Sequence, residues 1–508
     1  MTQPDALPPI HPTVIHMLMA AEDCADREAI VCAGRRLDYG QYLRCVAGFA
    51  RELTKHGARG ERIALILGNS VEVALAMFAV HAAGAQAVPV NPIYTPRELD
   101  LIIGDAAPVL AIVDAATREA AAPVLERHGV ASLAVGTGGL ALDQWRDTRG
   151  LRLPAPPAPG DLATLQYTGG TSGRPKGVDI THGQMAINIS QREALLPTLP
   201  EGERVLCVMP LFHVYAVHMC LHLAAYCRGT LVILPRYRPE PAIEALAAER
   251  ITAFAGGPTV FTGMLAHAAF AAARFPALRV SYSGSAPLPE EILRRWEEAT
   301  GCPILEGYGQ TEAGPVLTFN PQNGRRKPGS VGIAVPRTAI EIVDPETGTI
   351  VLPTGETGEI RAKGPQIMEG YRNLPAENAA TLREGWLYTG DIGELDADGY
   401  LFISDRKKDM AIVGGYNVYP REIDEVLFAH PDVLEAAAIG VPDPYRGEIV
   451  RAFAVARPGC QPSVEDLQAH CRANLAPYKV PASIELVAAL PKTPVGKIDK
   501  KALRGREG

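Results

Sequence analysis

The chain has 508 residues, 47% hydrophobic and 21% charged, with a formal net charge of −8 at pH 7. That length exceeds one hydrophobic core, so two or more domains are expected, and the acidic balance excludes a basic nucleic-acid-binding surface. Nine cysteines without a Cys-x-x-Cys pair argue against a zinc site or a disulfide framework and fit a reducing, cytoplasmic setting.

Met1 to Ala20 lacks the basic-then-apolar pattern of a signal peptide. Ile63 to Leu67 reads as a strand and Val71 to Ala83 as a helix; Val109 to Val113 and Ala116 to His128 repeat the pairing. Such alternation predicts parallel strands with crossover helices. The most apolar run, Val73 to Ala85, is too short to span a bilayer and carries His81, so no integral membrane segment is expected; peripheral membrane contact and homodimer formation are left open. Leu151 to Gly160 holds four prolines and reads as an irregular connector to a strand at Leu162 to Gln166. Val214 to Tyr226 is apolar except for His218 and His222, which lack the glutamate of an HExxH site and read as one-face core or surface histidines.

Near residue 400 the texture changes. Ile392 to Leu395 and Tyr400 to Ser404, joined by Asp396-Ala397-Asp398-Gly399, predict a hairpin. A charged run, Asp405 to Asp409, follows. Beyond it come a helix opened by Pro420, strands near Leu434 to Val441 and Val450 to Ala456, and a capping-box-like Ser463 with Asp466. The fold class is α/β: a large N-terminal domain (1–405) of mostly parallel sheets packed with helices, and a small, mobile C-terminal α+β domain (406–508).

Tyr167 to Gly177, Tyr-Thr-Gly-Gly-Thr-Ser-Gly-Arg-Pro-Lys-Gly, follows the strand at Leu162. Glycines let backbone N–H groups close on a ligand, hydroxyls donate, and Arg174 and Lys176 add charge, a composition suited to a polyphosphate. Pro175 and Gly177 around Lys176 depart from the P-loop pattern. The order resembles the phosphate loop of the adenylate-forming superfamily, which includes acyl-CoA synthetases, luciferases and the adenylation domains of peptide synthetases. Three further segments follow in that superfamily's order: Glu306 to Glu312 (Glu-Gly-Tyr-Gly-Gln-Thr-Glu); Tyr388-Thr389-Gly390-Asp391 through Asp405-Arg406-Lys407-Lys408-Asp409 to Gly414-Gly415-Tyr416; and Pro491 to Lys497.

The resemblance implies ATP, Mg²⁺ and CoA as cofactor and co-substrates. It implies that Thr168, Gly169, Gly170, Thr171, Ser172 and Gly173 wrap the β- and γ-phosphates, with Lys176 either a phosphate contact or an anchor of the loop. Thr168 and Glu312 lie near the metal, a sufficient protein share of a magnesium shell. Tyr308, within Glu306, Gly307 and Gly309, stacks on adenine opposite Gly284, Ser285 and Ala286; Thr311 contacts the α-phosphate, and Asp391, backed by Arg406, takes the ribose hydroxyls. Five lysines lie between Lys479 and Lys501, and only Lys497 has the spacing of the superfamily's catalytic lysine. Because Lys497 lies in the second domain, that domain must close for adenylation and then rotate about Lys408, bringing Gly414, Gly415 and Tyr416 in for the thiol.

The acid is expected between the gate Pro210-Leu211-Phe212-His213 and Gly256-Gly257-Pro258. No acidic residue follows the gate to pair an amino acid's ammonium, and Gly263 stands after the Gly-Pro-Thr segment where an arginine would receive a short diacid, which predicts a neutral, roomy pocket. The chain most resembles bacterial medium- and long-chain fatty acid–CoA ligases. Ligases of aromatic acids such as benzoate or coumarate are the runner-up, and a fatty-acyl-AMP ligase loading a carrier protein is a third reading, without its usual insertion.

Overall fold

The computed structural model describes residues 7–168, 175–413, 416–443, 446–493 and 496–505. Two large sheets dominate the N-terminal part. The seven-stranded sheet runs, edge to edge, Gly370–Tyr371, Lys176–Thr181, Leu162–Thr168, Gln86–Pro89, Arg62–Ile66, Leu110–Val113 and Ala131–Ala134. Its last five strands are parallel and its first two join antiparallel. The nine-stranded sheet has the order Ile333–Ala334, Val316–Phe319, Ile304–Gly309, Val280–Ser283, Ala253–Gly256, Arg204–Cys207, Thr230–Ile233, Glu28–Cys32 and Arg35–Asp38, parallel in its centre and antiparallel at both edges.

One hydrophobic core joins the two sheets through the helices between them. The helix Val71–Ala82 is buried along its whole length, including Glu72 and His81, which is why its sequence is apolar on every face. Ser70 caps it through the Val73 amide, and Thr95 with Glu98 forms a full capping box on the helix Pro96–Ala106. The predicted pairings of 63–67 with 71–83 and of 109–113 with 116–128 are present, with ends shifted by a residue or two. The connector 151–160 is irregular, as its prolines require.

The parallel strands at Arg204, Ala253, Val280 and Ile304 carry loops at their carboxyl ends, the edge where open α/β sheets gather ligand-binding segments. A third, antiparallel sheet lies outside the mostly parallel expectation, apart from its hairpin. It contains Ala339–Val343, Gly358–Lys363, Trp386–Leu395, Leu382–Arg383 and Leu401–Arg406. Two of its pairings span long sequence separations; the 386–406 hairpin and the tight pair of Leu382–Arg383 with 386–387 are local, and only the first was read from the sequence.

Arg406 still belongs to that third sheet, paired with Asp391. After the turn at 407–410, where the Asp409 and Met410 amides donate to the Arg406 carbonyl, a new sheet begins at Ala411–Val413. It adds Tyr416–Val418, Gly447–Ala456, Val433–Asp443 and Ser483–Leu486. The helices Pro420–Phe428 and Val464–Asn474 cover one face, and Lys500–Arg504 packs with a separate cluster that includes Leu490, Phe453 and Ile439. Ser463 accepts from the Asp466 amide and donates to the Asp466 carboxylate. No helix among the described residues is long and apolar enough to cross a membrane.

Candidate active site

Leu162–Thr168 and Lys176–Thr181 pair antiparallel, with Thr168 opposite Lys176. Gly169, Gly170, Thr171, Ser172 and Gly173 lie outside the described residues, as do Gly414 and Gly415. The Lys176 ammonium pairs with Glu377 and sits over the Tyr371 ring at 5.0 Å.

Tyr371 also donates from its hydroxyl to Glu312 Oε1 at 2.8 Å. Glu312 follows Thr311 in the short turn Thr311–Ala313, directly after the strand Ile304–Gly309 that carries Glu306, Gly307, Tyr308 and Gly309. Glu312 is buried, and Tyr371 fixes one of its oxygens.

In the third sheet, strand register sets Asp391 against Arg406, with Nε to Oδ1 at 3.3 Å. The Tyr308 hydroxyl donates to the other oxygen, Oδ2, at 2.6 Å. Burial pushes the Asp391 carboxyl up, while Arg406 and Tyr308 oppose that rise. Asp391 therefore ties the strand bearing Tyr308 to the strand that ends at the interdomain turn. Lys408 is exposed in that turn, and its ammonium is pushed below the usual lysine range first by burial and then by Arg406.

Glu306 lies on the same strand, two residues before Tyr308. Its carboxylate is buried and accepts from the Leu288 amide at 2.9 Å, fixing the segment that carries Gly284, Ser285 and Ala286. Desolvation lifts its carboxyl to about 7. Gly284 has no room for a side chain, since a Cβ there would come within 2.9 Å of the Tyr215 ring. Ser285 adopts a left-handed φ of 70°, strain that a non-glycine residue bears mainly at functional positions.

His213 precedes the helix that starts at Val214, and its Nδ1 accepts from the Tyr215 amide at 3.3 Å, which fixes the ring orientation. Burial and then the charge of Lys497 push the imidazole down to about 3, so it stays neutral. The gate is held from outside the motif. Asn69 accepts from the Leu211 amide at 2.8 Å and donates to the Met209 carbonyl, while Gln166 donates to the Phe212 carbonyl at 2.9 Å. The structure corrects the reading of Gly263: a Cβ there would lie 2.9 Å from the Tyr237 hydroxyl, which donates to Val260 O. Its missing side chain makes room for Tyr237, and the position is no measure of pocket size. Gly257 has only ordinary contact distance to the Gly284 carbonyl.

The last motif reaches this site from the C-terminal sheet. The Thr493 and Lys497 backbones bond to each other, and Gly496, at φ +80°, offers its carbonyl to Thr259 Oγ1 at 3.1 Å, at the start of the helix Pro258–Leu265. That docking carries half-buried Lys497 to the electrostatic neighbourhood of His213, Arg406, Asp391 and Glu312. Burial, then Arg406, lowers the Lys497 ammonium to about 8; Asp391 and Glu312 work the other way. Tyr416 faces outward, 59% exposed, with its ring stacked on Tyr478 at 4.6 Å. Sequence reasoning missed Tyr371, Glu377, Asn69 and Gln166, which lie outside the motifs and carry no local signature.

A strand pair flanking the glycine-rich segment, a buried carboxylate after a strand of the large sheet and a lysine brought in from a second unit form a two-part site. The chain belongs to the AMP-binding enzyme family: that family's model matches residues 19–372, and the AMP-binding enzyme C-terminal domain matches residues 422–497. It is similar to a long-chain-fatty-acid–CoA ligase of Bacillus subtilis (strain 168), with 37% identity across 95% of this chain and 92% of that one. A feruloyl-CoA synthase of an Amycolatopsis species is 36% identical across 94% and 96% of the two chains. Among solved structures, an anthranilate CoA ligase, AuaEII, in complex with anthranoyl-AMP superimposes with a TM-score of 0.92 at 28% identity, covering 100% of this chain and 99% of that one.

The environment of Lys497 is directly measurable. In protein whose lysines carry ¹³C-methyl groups, the NMR signal missing from Lys497→Arg should titrate near 8, while most lysines titrate at roughly 10.4. Lys497 is therefore cationic at neutral pH and loses its charge as pH rises through that value. A midpoint above 10 would show that the amine is not desolvated.

Proposed function

We propose that this protein is an ATP-dependent, AMP-forming acid–CoA ligase acting on medium- or long-chain fatty acids. The observation that carries the reading is the approach of Lys497, from the C-terminal unit, to Asp391, Arg406 and Glu312. Adenylation joins two anions, a carboxylate and the α-phosphate, so the enzyme has to hold them in line and neutralise the charge that accumulates between them. Lys497 is placed to supply that charge, and its lowered pKa reflects an amine stripped of water before the substrates arrive. The fatty-acid relatives support the acyl class; the feruloyl and anthranilate relatives keep an aromatic acid as the second reading.

Roles follow from position. Asp391 binds the ribose hydroxyls and Arg406 holds it; Tyr308, whose hydroxyl is fixed on Asp391, presents its ring to adenine against Gly284, Ser285 and Ala286. Thr311 receives the α-phosphate, and Thr168 with the loop 169–173 receives the β- and γ-phosphates. Thr168 and Glu312 fit Mg²⁺: both offer hard oxygen donors, and Tyr371 binds one Glu312 oxygen while the other can face the metal. Such an ion needs few protein ligands because it retains waters and shares the substrate phosphates. Bound there, Mg²⁺ supplies charge neutralisation of the phosphates. Neutral His213 shapes the entry for the acid without adding charge.

On this reading the chain divides at the turn after Arg406, and the contact of Thr259 with the Gly496 carbonyl supports an adenylating arrangement. Thioester formation requires the C-terminal unit to rotate there, removing Lys497 and bringing the 414–416 segment with Tyr416 to the acyl-adenylate. A cytoplasmic setting is supported by nine free thiols, eight of them buried.

The decisive experiment supplies purified protein with ATP, Mg²⁺, CoA and acids of increasing length. Acyl-CoA, AMP and pyrophosphate should form, and kcat/KM should rise from acetate to octanoate by roughly fourfold per methylene, the worth of ~0.8 kcal/mol each. A flat profile would overturn the fatty-acid reading, and a clear preference for benzoate would select the aromatic one.

Lys497→Ala should slow acyl-AMP formation by roughly 10²- to 10³-fold while leaving thioester formation from supplied acyl-AMP intact. Equal losses in both half-reactions would end the separation of roles.

Lys408→Pro tests the pivot. Proline fixes φ near −65° and restricts the residue before it, so this variant should release one burst of pyrophosphate and then turn over very slowly with CoA. Lys408→Ala should keep most of both activities. Wild-type acyl-CoA rates in the proline variant would place the hinge elsewhere.

A further inference from the structure

An acidic side chain in the last turn of a helix faces the partial negative charge of the helix dipole, which disfavours it there. Asp105 holds that place in the helix Pro96–Ala106, outside every motif of the proposed site. Its partners lie elsewhere in the fold. Oδ2 of its carboxylate accepts from the Tyr167 hydroxyl at 2.6 Å. Oδ1 accepts from the side-chain amide of Asn373 at 3.3 Å. The Asp105 carbonyl, one of those a helix end leaves without an internal partner, accepts from Arg372 Nε at 3.1 Å. An ionised carboxylate suits this place because it accepts from several directions, and it draws a hydroxyl closer than a neutral acceptor does.

Both sides of this junction lead to the proposed ATP site. Tyr167 is followed by Thr168, the last residue of its strand before the glycine-rich segment. The Tyr167 ring covers Gly177, its partner in the strand pair, where a Cβ would come within 3.2 Å of it. With the ring against the sheet and the hydroxyl on Asp105, the end of that strand is held by its side chain as well as by its ladder. On the other side, Gly370–Tyr371 is an edge strand of two residues, paired with Val178 and Asp179. So short a strand has few ladder bonds to aim it. The chain beyond is caught by Asp105 and by the Arg372 amide, which donates to the Gly177 carbonyl at 2.8 Å. Asn373 takes a left-handed φ of 56° there, a conformation asparagine tolerates better than most residues. Tyr371, at the head of this segment, is the residue whose hydroxyl holds Glu312.

We infer that Asp105 is a positioning residue for ATP: through Tyr167 it fixes the strand end that enters the phosphate loop, and through Arg372 and Asn373 it fixes the segment that holds Glu312. This rests on the ligase reading above and assigns a residue outside the motifs to one substrate. On that reading the acid enters between the gate and 256–258, and CoA arrives after ATP has been consumed, so neither depends on Asp105.

The test is binding of MgATP to the full-length protein, followed by calorimetry with no acid or CoA present, so that nothing turns over. Asp105→Ala and Tyr167→Phe should each weaken binding by roughly tenfold, the scale of one hydrogen bond to a charged group. Combined, they should cost no more than the larger single loss, because both remove the same contact. Asp105→Asn, whose side chain can still accept from Tyr167 and pair with Asn373, should keep most of the affinity. Thioester formation from supplied acyl-AMP should not change in any of these variants. Unaltered MgATP binding in Tyr167→Phe overturns the inference. So do additive losses in the double variant, a parallel loss of thioester formation, or a loss in Asp105→Asn as large as in Asp105→Ala. Tyr167→Phe removes one oxygen from a ring packed on the sheet and decides the matter if Asp105→Ala does not fold. Wild-type protein that makes acyl-CoA alongside an unaltered Tyr167→Phe sinks this inference alone, whereas no acyl-AMP from any acid removes the ligase reading and this one together.

Discussion

A desolvated lysine ammonium in the field of a guanidinium is an unfavourable arrangement that two carboxylates make tolerable. Burial and Arg406 both act to neutralise Lys497, and Asp391 and Glu312 oppose them. The balance holds only while the C-terminal unit is docked, since Lys497 belongs to one unit and the other three charges to the other. ATP adds anionic phosphates to this site and must strengthen the cation's hold there. The product pyrophosphate takes charge away when it leaves, which loosens the same contact. In the proposed mechanism, loss of pyrophosphate after the first half-reaction would thereby weaken the docking that the second half-reaction has to undo.

Asp391 links this balance to the scaffold. It faces Arg406 across a strand pair, accepts from Tyr308 on the nine-stranded sheet, and lies one turn away from the interdomain segment. Nearby, Asp405 accepts from the Arg421 amide, and the Arg421 guanidinium donates to the Ile403 carbonyl, so the first helix of the C-terminal unit is bonded to the strand before the turn. Arg421 is also the main charge opposing the raised pKa of Glu306, the residue that fixes the 284–288 segment. Rotation at the turn would therefore alter the field at a carboxyl poised near neutrality and at the loop it supports.

The phosphate-loop side is built differently, with each functional group held by a residue far away in sequence. Glu377 and Tyr371 occupy Lys176, and Tyr371 also holds Glu312. One short segment, 371–377, thus positions a residue from each of two motifs. Asn69 and Gln166 fix the gate in the same manner. Such helpers restrict motion without touching substrate, and nothing in their local sequence distinguishes them from ordinary surface or core residues.

What the sequence determined by itself was contiguous chemistry and local periodicity. The order of the four motifs, the helix at 71–83, the strand that feeds the glycine-rich loop, the hairpin of 392–395 with 400–404 and the lysine after a glycine all depend on residues close together in the chain, where propensity and capping act directly. The tertiary structure alone decided which distant groups meet. The strands Ala339–Val343 and Gly358–Lys363 of the third sheet pair over long separations, Gly263 makes way for Tyr237, and four histidines from 81, 182, 218 and 222 gather in one core although two of them read only as core or surface residues of a single helix. A histidine's neighbours are chosen by how sheets and helices pack, and that packing minimises the free energy of the whole core, so no window of sequence contains it.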